Sequence, residues 1–401
     1  MSKDAKKVPA LRFKGFSDAW EKRKLGELLT LLKDGTHGTH KKGCFAFLLS
    51  AKNVTRNKLH FDDTDRKISK KDFDEIYANY HLVQNDILVT IVGTIGRVAL
   101  FPKLNVPIAF QRSVAILRPK NLLSPGFLAL ELQTHSVQYQ LSASSNMSAQ
   151  AGIYLGDLKR IIIAIPESQE QDDIANTLFH LNDLIAATQG KFDQLQMVKK
   201  ALLQHLFDQS MRFKGYSDPW EKRKLGQIAE ILMGQSPDSK NYTTDPKDYI
   251  LVQGNADIKN GWVYPRVWTT QVTKIAKKGS VLLSVRAPVG EVARSAFDVV
   301  WGRGVASIGH DDFLYHYLVR MKENGFWLKL STGSTFDSIN SKDIKEAALF
   351  VPEKPEQQKI SRILNSLNHL IAATQSKLSS LESLKKPCYK DFSFEWERLT
   401  R

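Results

Sequence analysis

The sequence predicts a duplicated architecture in which two related globular bodies alternate with two long helices. Three observations predict it. The segment Arg12–Gly26 recurs at 212–226 with 13 of 15 positions identical, an offset of 200. The segment Leu181–Lys191 recurs at 367–377 with 9 of 11 identical, at an offset of 186, so the second copy is 14 residues shorter in its middle. From Ile174 onward the apolar positions step alternately by four and three residues, the 3.5-residue period of a coiled-coil seam.

The head of each copy is the near-identical block ending Trp20-Glu-Lys-Arg-Lys-Leu-Gly26. A diverged body follows, in which an apolar, strand-like run (Ile87 to Val92, Val281 to Val285) precedes Gly93-Thr-Ile-Gly96-Arg-Val-Ala99 or its counterpart Ala287-Pro-Val-Gly290-Glu-Val-Ala293. Each body closes on a matched segment, Asp157-Leu-Lys to Pro166-Glu and Asp343-Ile-Lys to Pro352-Glu.

The helix seam runs through Ile174, Leu178, Leu181, Ile185, Thr188, Phe192, Leu195, Lys199, Leu202 and Leu206. Its second copy runs through Ile360, Leu364, Leu367, Ile371, Thr374, Leu378, Leu381 and Lys385, with the same Thr and Lys interruptions. Two helices that share one seam, exceptions included, are natural partners, and from 174 to 206 the first would be about 50 Å long. Ser168 and Gln171 have capping-box spacing at the first helix start, and Pro355 falls where the first helical residue of the second is expected. Pro387 is expected to stop the second helix sooner than the first. The tail, Tyr389 to Glu397, reads like the opening of a third head. The expected boundaries are therefore a body at 1–165, a helix at 166–207, a body at 208–351, a helix at 352–386 and a tail at 387–401.

Composition narrows the function classes. With 42% hydrophobic and 25% charged residues, the 401-residue chain can build two or three cores. A net charge of +15 favours polyanionic partners, nucleic acid first. Residues 1–165 carry 25 basic and 14 acidic side chains, whereas 166–207 carry 3 and 6, so the first helix is not the part that lies on phosphates. Cys44 and Cys388 form no disulfide framework or paired-cysteine metal site, which fits a reducing cytoplasm. The N-terminus has no apolar signal core, and no apolar run approaches the roughly 20 residues that cross a bilayer, so no membrane role is expected.

Catalytic constellations are not evident. None of the 14 prolines is adjacent to another, so the Asn- or Asp-Pro-Pro-aromatic loop of an aminomethylating DNA enzyme is lacking. The Gly-Lys pair Gly190-Lys191 sits inside the helix and not in a phosphate-cradling loop. Asp238, Asp245 and Lys247 loosely echo a nuclease metal site, yet Pro246 stands where that site needs a strand. His37, His40 and Cys44 have ligand-like spacing without an evident fourth ligand, so no metal is expected. A duplicated basic chain of this kind reads as a bipartite reader of two DNA half-sites. A self-contained nuclease and a non-enzymatic coiled-coil scaffold are the alternatives.

In the head, in Asn85-Asp-Ile-Leu with Gly93 and Gly96, and in Pro166-Glu with Glu170, Gln171 and Ile174, each repeated in order, the whole chain resembles the specificity subunits of type I restriction-modification systems. The resemblance implies a mixed α/β (α+β) fold. It implies two target-recognition domains plus two long helices forming an antiparallel coiled coil, and a chain that selects the site without catalysing. The implied partners are double-stranded DNA, two methylation subunits and two restriction subunits. No cofactor would be bound by this chain, with S-adenosylmethionine, ATP and Mg in those partners.

Base-reading candidates follow the order of blocks. The loops after the heads supply Thr36, His37, Thr39, His40, Lys41 and Lys42 in the first body and Gln235, Ser236 and Lys240 in the second. Lys52, Asn53, Arg56 and Lys58 are set against Gln253, Asn255 and Lys259, because Arg, Lys, Asn and Gln make bidentate contacts to base edges. Arg112 and Arg303 occupy equivalent late positions, and Ser334 with Thr335 lies in a glycine loop suited to phosphate.

Overall fold

The computed structural model describes residues 12–35, 42–55, 57–77, 80–145, 151–330 and 338–391. The chain divides into two compact units, residues 1–189 with 377–401 and residues 190–376, and both divisions fall within long helices. The first long helix is Ser168–Phe207 and the second is Lys354–Asp391.

Each unit is a mixed α/β body built to one plan. In the first, strands Leu29–Asp34, Val114–Pro119, Ile87–Thr90 and Val98–Leu100 form an antiparallel sheet in that order. Its second sheet pairs Lys42–Leu49 in parallel with Ile108–Phe110. In the second unit Leu232–Met233, Val305–Ser307, Val281–Ser284 and Val292–Arg294 repeat the first sheet, and Tyr249–Val252 runs parallel to Val299–Trp301. The central strands Ile87–Thr90 and Val281–Ser284 are buried at every position, so both faces of each sheet are covered.

The near-identical heads have near-identical duties. Trp20 and Trp220 are buried, and each is followed by a strand, Glu21–Lys24 or Glu221–Lys224, that pairs antiparallel with the last strand of its body, Ile162–Ile165 or Ala348–Val351. Gly26 and Gly226 sit where a Cβ would come within 3.0 Å of the Cβ of Lys159 and of Lys345. Arg12 donates two hydrogen bonds to the fully buried Glu170 carboxylate, at 2.6 and 2.7 Å, and Arg212 does the same to Glu356, at 3.1 and 2.7 Å. Removing either partner would strand a buried charge, at about 3–5 kcal/mol. The head is thus bolted to the start of the long helix that follows its own body.

The helix starts depart from the sequence expectation. Ser168 opens the first helix as a helical residue, and the Gln171 amide, instead of closing a capping box, donates to Pro166 O and Leu122 O and accepts from Ser124 N–H. Gln357 likewise donates to Pro352 O at 2.7 Å. Each glutamine therefore clamps the strand-to-helix joint. Pro355 is the second helical residue, within the first turn where its missing N–H is harmless.

At the far end the expected stop at Pro387 is not found, because the second helix continues to Asp391. A proline removes one hydrogen bond and crowds the carbonyl four residues before it, which bends a helix without ending it. The two helices are therefore nearly equal, 40 and 38 residues, about 60 Å each.

Along both helices every seam position is withdrawn from solvent. All ten in the first and all eight in the second are buried or half-buried, while Ala187, Gly190, Met197 and Ala373 between them are exposed. Thr374, one of the polar interruptions, is buried and satisfies its hydroxyl on Leu370 O at 2.8 Å.

Candidate nucleic-acid interface

Three loops meet at the same place in each unit. In the second unit, Gln235 N–H donates to Trp301 O, Gly302 N–H donates to Val252 O, and Ser236 Oγ accepts from Arg303 N–H, at 3.1, 2.7 and 3.1 Å. The turn after Leu232–Met233, the end of Tyr249–Val252 and the turn Gly302-Arg303-Gly304 are thereby locked together. In the first unit Gln111 N–H donates to Leu49 O at 2.8 Å and Ala51 N–H donates to Ser113 Oγ at 3.2 Å. Val114 N–H bonds Gln111 O as Val305 N–H bonds Gly302 O, which makes Arg112 and Arg303 geometrically equivalent. Both are exposed.

Glycine permits this approach. A Cβ at Gly35 would lie 2.2 Å from Phe110 O, one at Gly234 would lie 2.1 Å from Gly302 O, and one at Gly304 would lie 2.1 Å from Gln253 O. No other residue fits without moving backbone.

Beside the cluster each unit carries a 3₁₀ turn and a small hairpin. Ala51–Asn53 leads into the ribbon Val54–Thr55 with Lys58–Leu59, and Asn255–Asp257 leads into Ile258–Lys259 with Trp262–Val263. Positive φ at Asn57 in one tip, and at Asn260 and Gly261 in the other, gives the tight reversal such ribbons need. Lys58 and Lys259 are exposed, with the Lys259 ammonium 5.1 Å from the Tyr264 ring centroid.

Asn53 belongs inside this turn and not at its surface. It is 1% exposed, its Oδ1 accepts from Ser50 N–H and Oγ, and its Nδ2 donates to His60 O and Asp65 Oδ1, between 2.8 and 3.1 Å. Every hydrogen-bonding site of that amide is used for the loop, and none is left to read a base. His60 N–H bonds Asn53 O as Tyr264 N–H bonds Asp257 O, so Asn53 corresponds to Asp257 and not to Asn255. Lys52 stays half in solvent while its ammonium lies 2.6 Å from Asp65 Oδ1. Burial pushes the Asp65 carboxyl up, yet bonds from Lys52, Asn53 and the Asp62 N–H hold it below the ordinary value.

The remaining candidates divide. Gln235 O accepts from Thr273 Oγ1 at 2.6 Å, Lys240 pairs with Asp238 at 3.3 Å, Gln253 and Asn255 are half-buried, and Lys42 is exposed at the start of its strand. Thr36, His37, Thr39, His40, Lys41, Arg56, Ser334 and Thr335 lie outside the described residues. Asp238 and Asp245, the nuclease-like pair, each accept a backbone N–H two residues on, from Lys240 and Lys247, as turn residues do. Among the described residues no group of three or more His, Cys, Asp or Glu is placed to hold a metal. Arg266, which lies outside the repeated blocks, joins the second cluster through a 3.0 Å bond to Asp257. The signal for it, a basic residue just before the strand Trp268–Thr269, was too weak to read without the partner.

The comparisons with known proteins agree with this duplicated plan. A family profile described as the type I restriction modification DNA specificity domain matches residues 17–197 and again residues 217–383. The chain is similar to the provisionally named type I restriction enzyme MjaX specificity subunit of Methanocaldococcus jannaschii, with 27% identity over 393 residues, covering 92% of this chain and 91% of that protein. A stretch of 118 residues is 38% identical to the type I restriction enzyme EcoBI specificity subunit of Escherichia coli, covering 29% of this chain and 24% of that protein. The crystal structure of a type I restriction-modification system S subunit from M. genitalium aligns with a TM-score of 0.66 at 16% identity, over 96% of this chain and 98% of that one, which shows a common fold. Among the described residues no helix is long and apolar enough to cross a membrane.

Proposed function

We infer the function from one premise: the chain belongs to the type I restriction modification DNA specificity family. It is a type I restriction enzyme specificity subunit with two target-recognition domains, and its part in the enzyme is the choice of DNA sequence. The observation that carries this reading is the twofold construction of one loop cluster, each with an exposed arginine, Arg112 or Arg303, on a turn locked by backbone bonds. A rigid turn presenting guanidinium is suited to bidentate reading of guanine or to a fixed phosphate contact.

The chain itself carries no catalytic step in this reading. Two methylation subunits supply S-adenosylmethionine chemistry on a flipped adenine, and two restriction subunits supply Mg- and ATP-dependent translocation and cleavage. Assembly takes place in the cytoplasm on double-stranded DNA. The two long helices pair antiparallel as a coiled coil along their shared seam and act as a ruler, so that the two clusters read half-sites separated by unread base pairs.

The test is to express the chain with its methylating partner, map modified bases in the genome, and measure binding of duplexes carrying the mapped site across a salt series. A bipartite site bound with a steep negative dependence on log salt is expected. Cleavage of DNA with Mg by this chain alone, or binding indifferent to the mapped site, would sink the reading.

A further inference from the structure

We propose that Arg266 is a DNA-contacting residue of the second unit, the counterpart of Lys52 in the first, each presented toward DNA by a buried aspartate within the recognition turn. The inference rests on the specificity reading above and names residues for it. The correspondence comes from backbone bonds. Asn53 matches Asp257 through their carbonyls, as described, and Leu48 N–H bonds Arg66 O at 2.8 Å as Leu251 N–H bonds Val267 O at 2.9 Å. The residues just before, Asp65 and Arg266, therefore occupy one place in the two units.

Across that pair of places the chemistry is exchanged. In the first unit the strand side supplies the acid, Asp65, and the turn supplies Asn53 and the cation Lys52. In the second the turn supplies the acid, Asp257, and the strand side supplies the cation Arg266. Either way the result is one buried carboxylate, 2% or 5% exposed at its side chain, holding one cation that is about half exposed, at 54% or 47%. Two diverged bodies thus reach one arrangement from opposite sides.

The carboxylate also ties the cation to the cluster. Asp257 Oδ2 accepts from Gln253 N–H and Gly254 N–H at 2.8 and 3.3 Å, and Oδ1 receives Nε of Arg266. Gln253 is the residue whose carbonyl the Gly304 turn approaches closely, so Arg303 and Arg266 attach to the same short stretch of backbone from two sides. A guanidinium held this way keeps its orientation before DNA arrives, while Nη1 has no protein partner among the described residues and remains to donate. If Arg266 did no more than neutralise Asp257, its loss would lower stability and leave base preference alone.

The experiment uses the full chain with its methylation subunit and duplexes carrying the genomically mapped site, intact or with one half-site scrambled. Arg266→Gln should weaken binding of the intact site about tenfold or more, within the range of a single base or phosphate contact. That loss should vanish on duplexes whose second-unit half-site is already scrambled. Lys52→Gln should do the same for the other half-site. If Arg266→Gln alone unfolds the unit, the double variant Arg266→Gln with Asp257→Asn keeps an acceptor for both N–H groups and puts at 257 the residue the first unit uses there. Binding of the intact site within twofold of wild type by a folded variant, or a loss equal on all duplexes, overturns the assignment. A wild-type complex that fails to distinguish intact from scrambled sites overturns the specificity reading beneath it.

Discussion

The stability of the first unit is expected to fall as pH rises, because of Glu131. It ends helix Pro125–Glu131, is 4% exposed, and burial pushes its carboxyl up to about 8, with a bond from Ala164 N–H lowering it only in part. At the matching place of the second unit Tyr317 Oη accepts Phe350 N–H at 3.0 Å, so in each unit a side chain answers the same strand N–H. The unfolded carboxyl gives up its proton near 4.5, and the folded one holds it to about 8. Between those values the folded state binds more protons than the unfolded, and stability declines with pH. At about 1.4 kcal/mol per unit, the loss is about 1 kcal/mol at pH 5, about 3 at pH 7 and about 4 at pH 8. Glu131→Gln keeps a carbonyl acceptor for Ala164 and cannot ionise, so it should gain about those amounts at each pH. The assay is denaturant-dependent hydrogen exchange of the Ile162–Ile165 amides, which resolves this unit from the other. A gain that is absent, or equal at pH 5 and pH 8, refutes the argument.

Further expectations follow from the same geometry. His316 is wholly buried against Asn365 Oδ1 at 2.8 Å and driven down to about 3, so the second unit should lose stability as pH falls from about 6.5 toward 3, by about 2 kcal/mol at pH 5. His316→Leu, the residue type at the matching Leu130, should flatten that acid slope in unfolding titrations, and an unchanged slope would count against it. In the second unit the same joint holds Arg294 and Asn365 at 2.8 Å, whereas the corresponding Leu100 and Phe179 of the first pack on an apolar core. Moving the second body onto the first helix takes Asn365 from Arg294, which keeps its pair with Asp312, and should therefore cost about 1–3 kcal/mol in thermal or urea unfolding, with Phe179→Asn recovering much of it; a chimaera as stable without that change would show that the joint is not selective. A heptad inserted at both Ala187 and Ala373 lengthens each helix by about 10 Å and should widen the preferred gap between half-sites by about 1–3 base pairs, read by binding to sites of varied gap, while a two-residue insertion should break the seam; an unchanged optimum in a folded heptad variant would refute the ruler.

Much of this plan was legible from the sequence because repetition and periodicity are local signals. Thirteen identities in a fifteen-residue head meant that Arg12 and Arg212, Trp20 and Trp220, Gly26 and Gly226 would meet the same surroundings, and they do. The 3.5-residue step named the stripe that each long helix withdraws from solvent, down to its Thr and Lys exceptions, since side-chain direction on a helix depends only on spacing. Position along the chain also paired Arg112 with Arg303. Tertiary structure decided what the loop side chains do. Asn53 and Arg266 take their roles from a carboxylate that a turn of the chain brings back beside them, Asp65 drawing one amide inward and Asp257 anchoring one guanidinium at the surface. The same holds for Gln171, drawn to Leu122 and Pro166, and for Glu131, whose proton is kept by burial. Hydrogen-bond partners that only the folded chain brings together, and the water they exclude, set those outcomes.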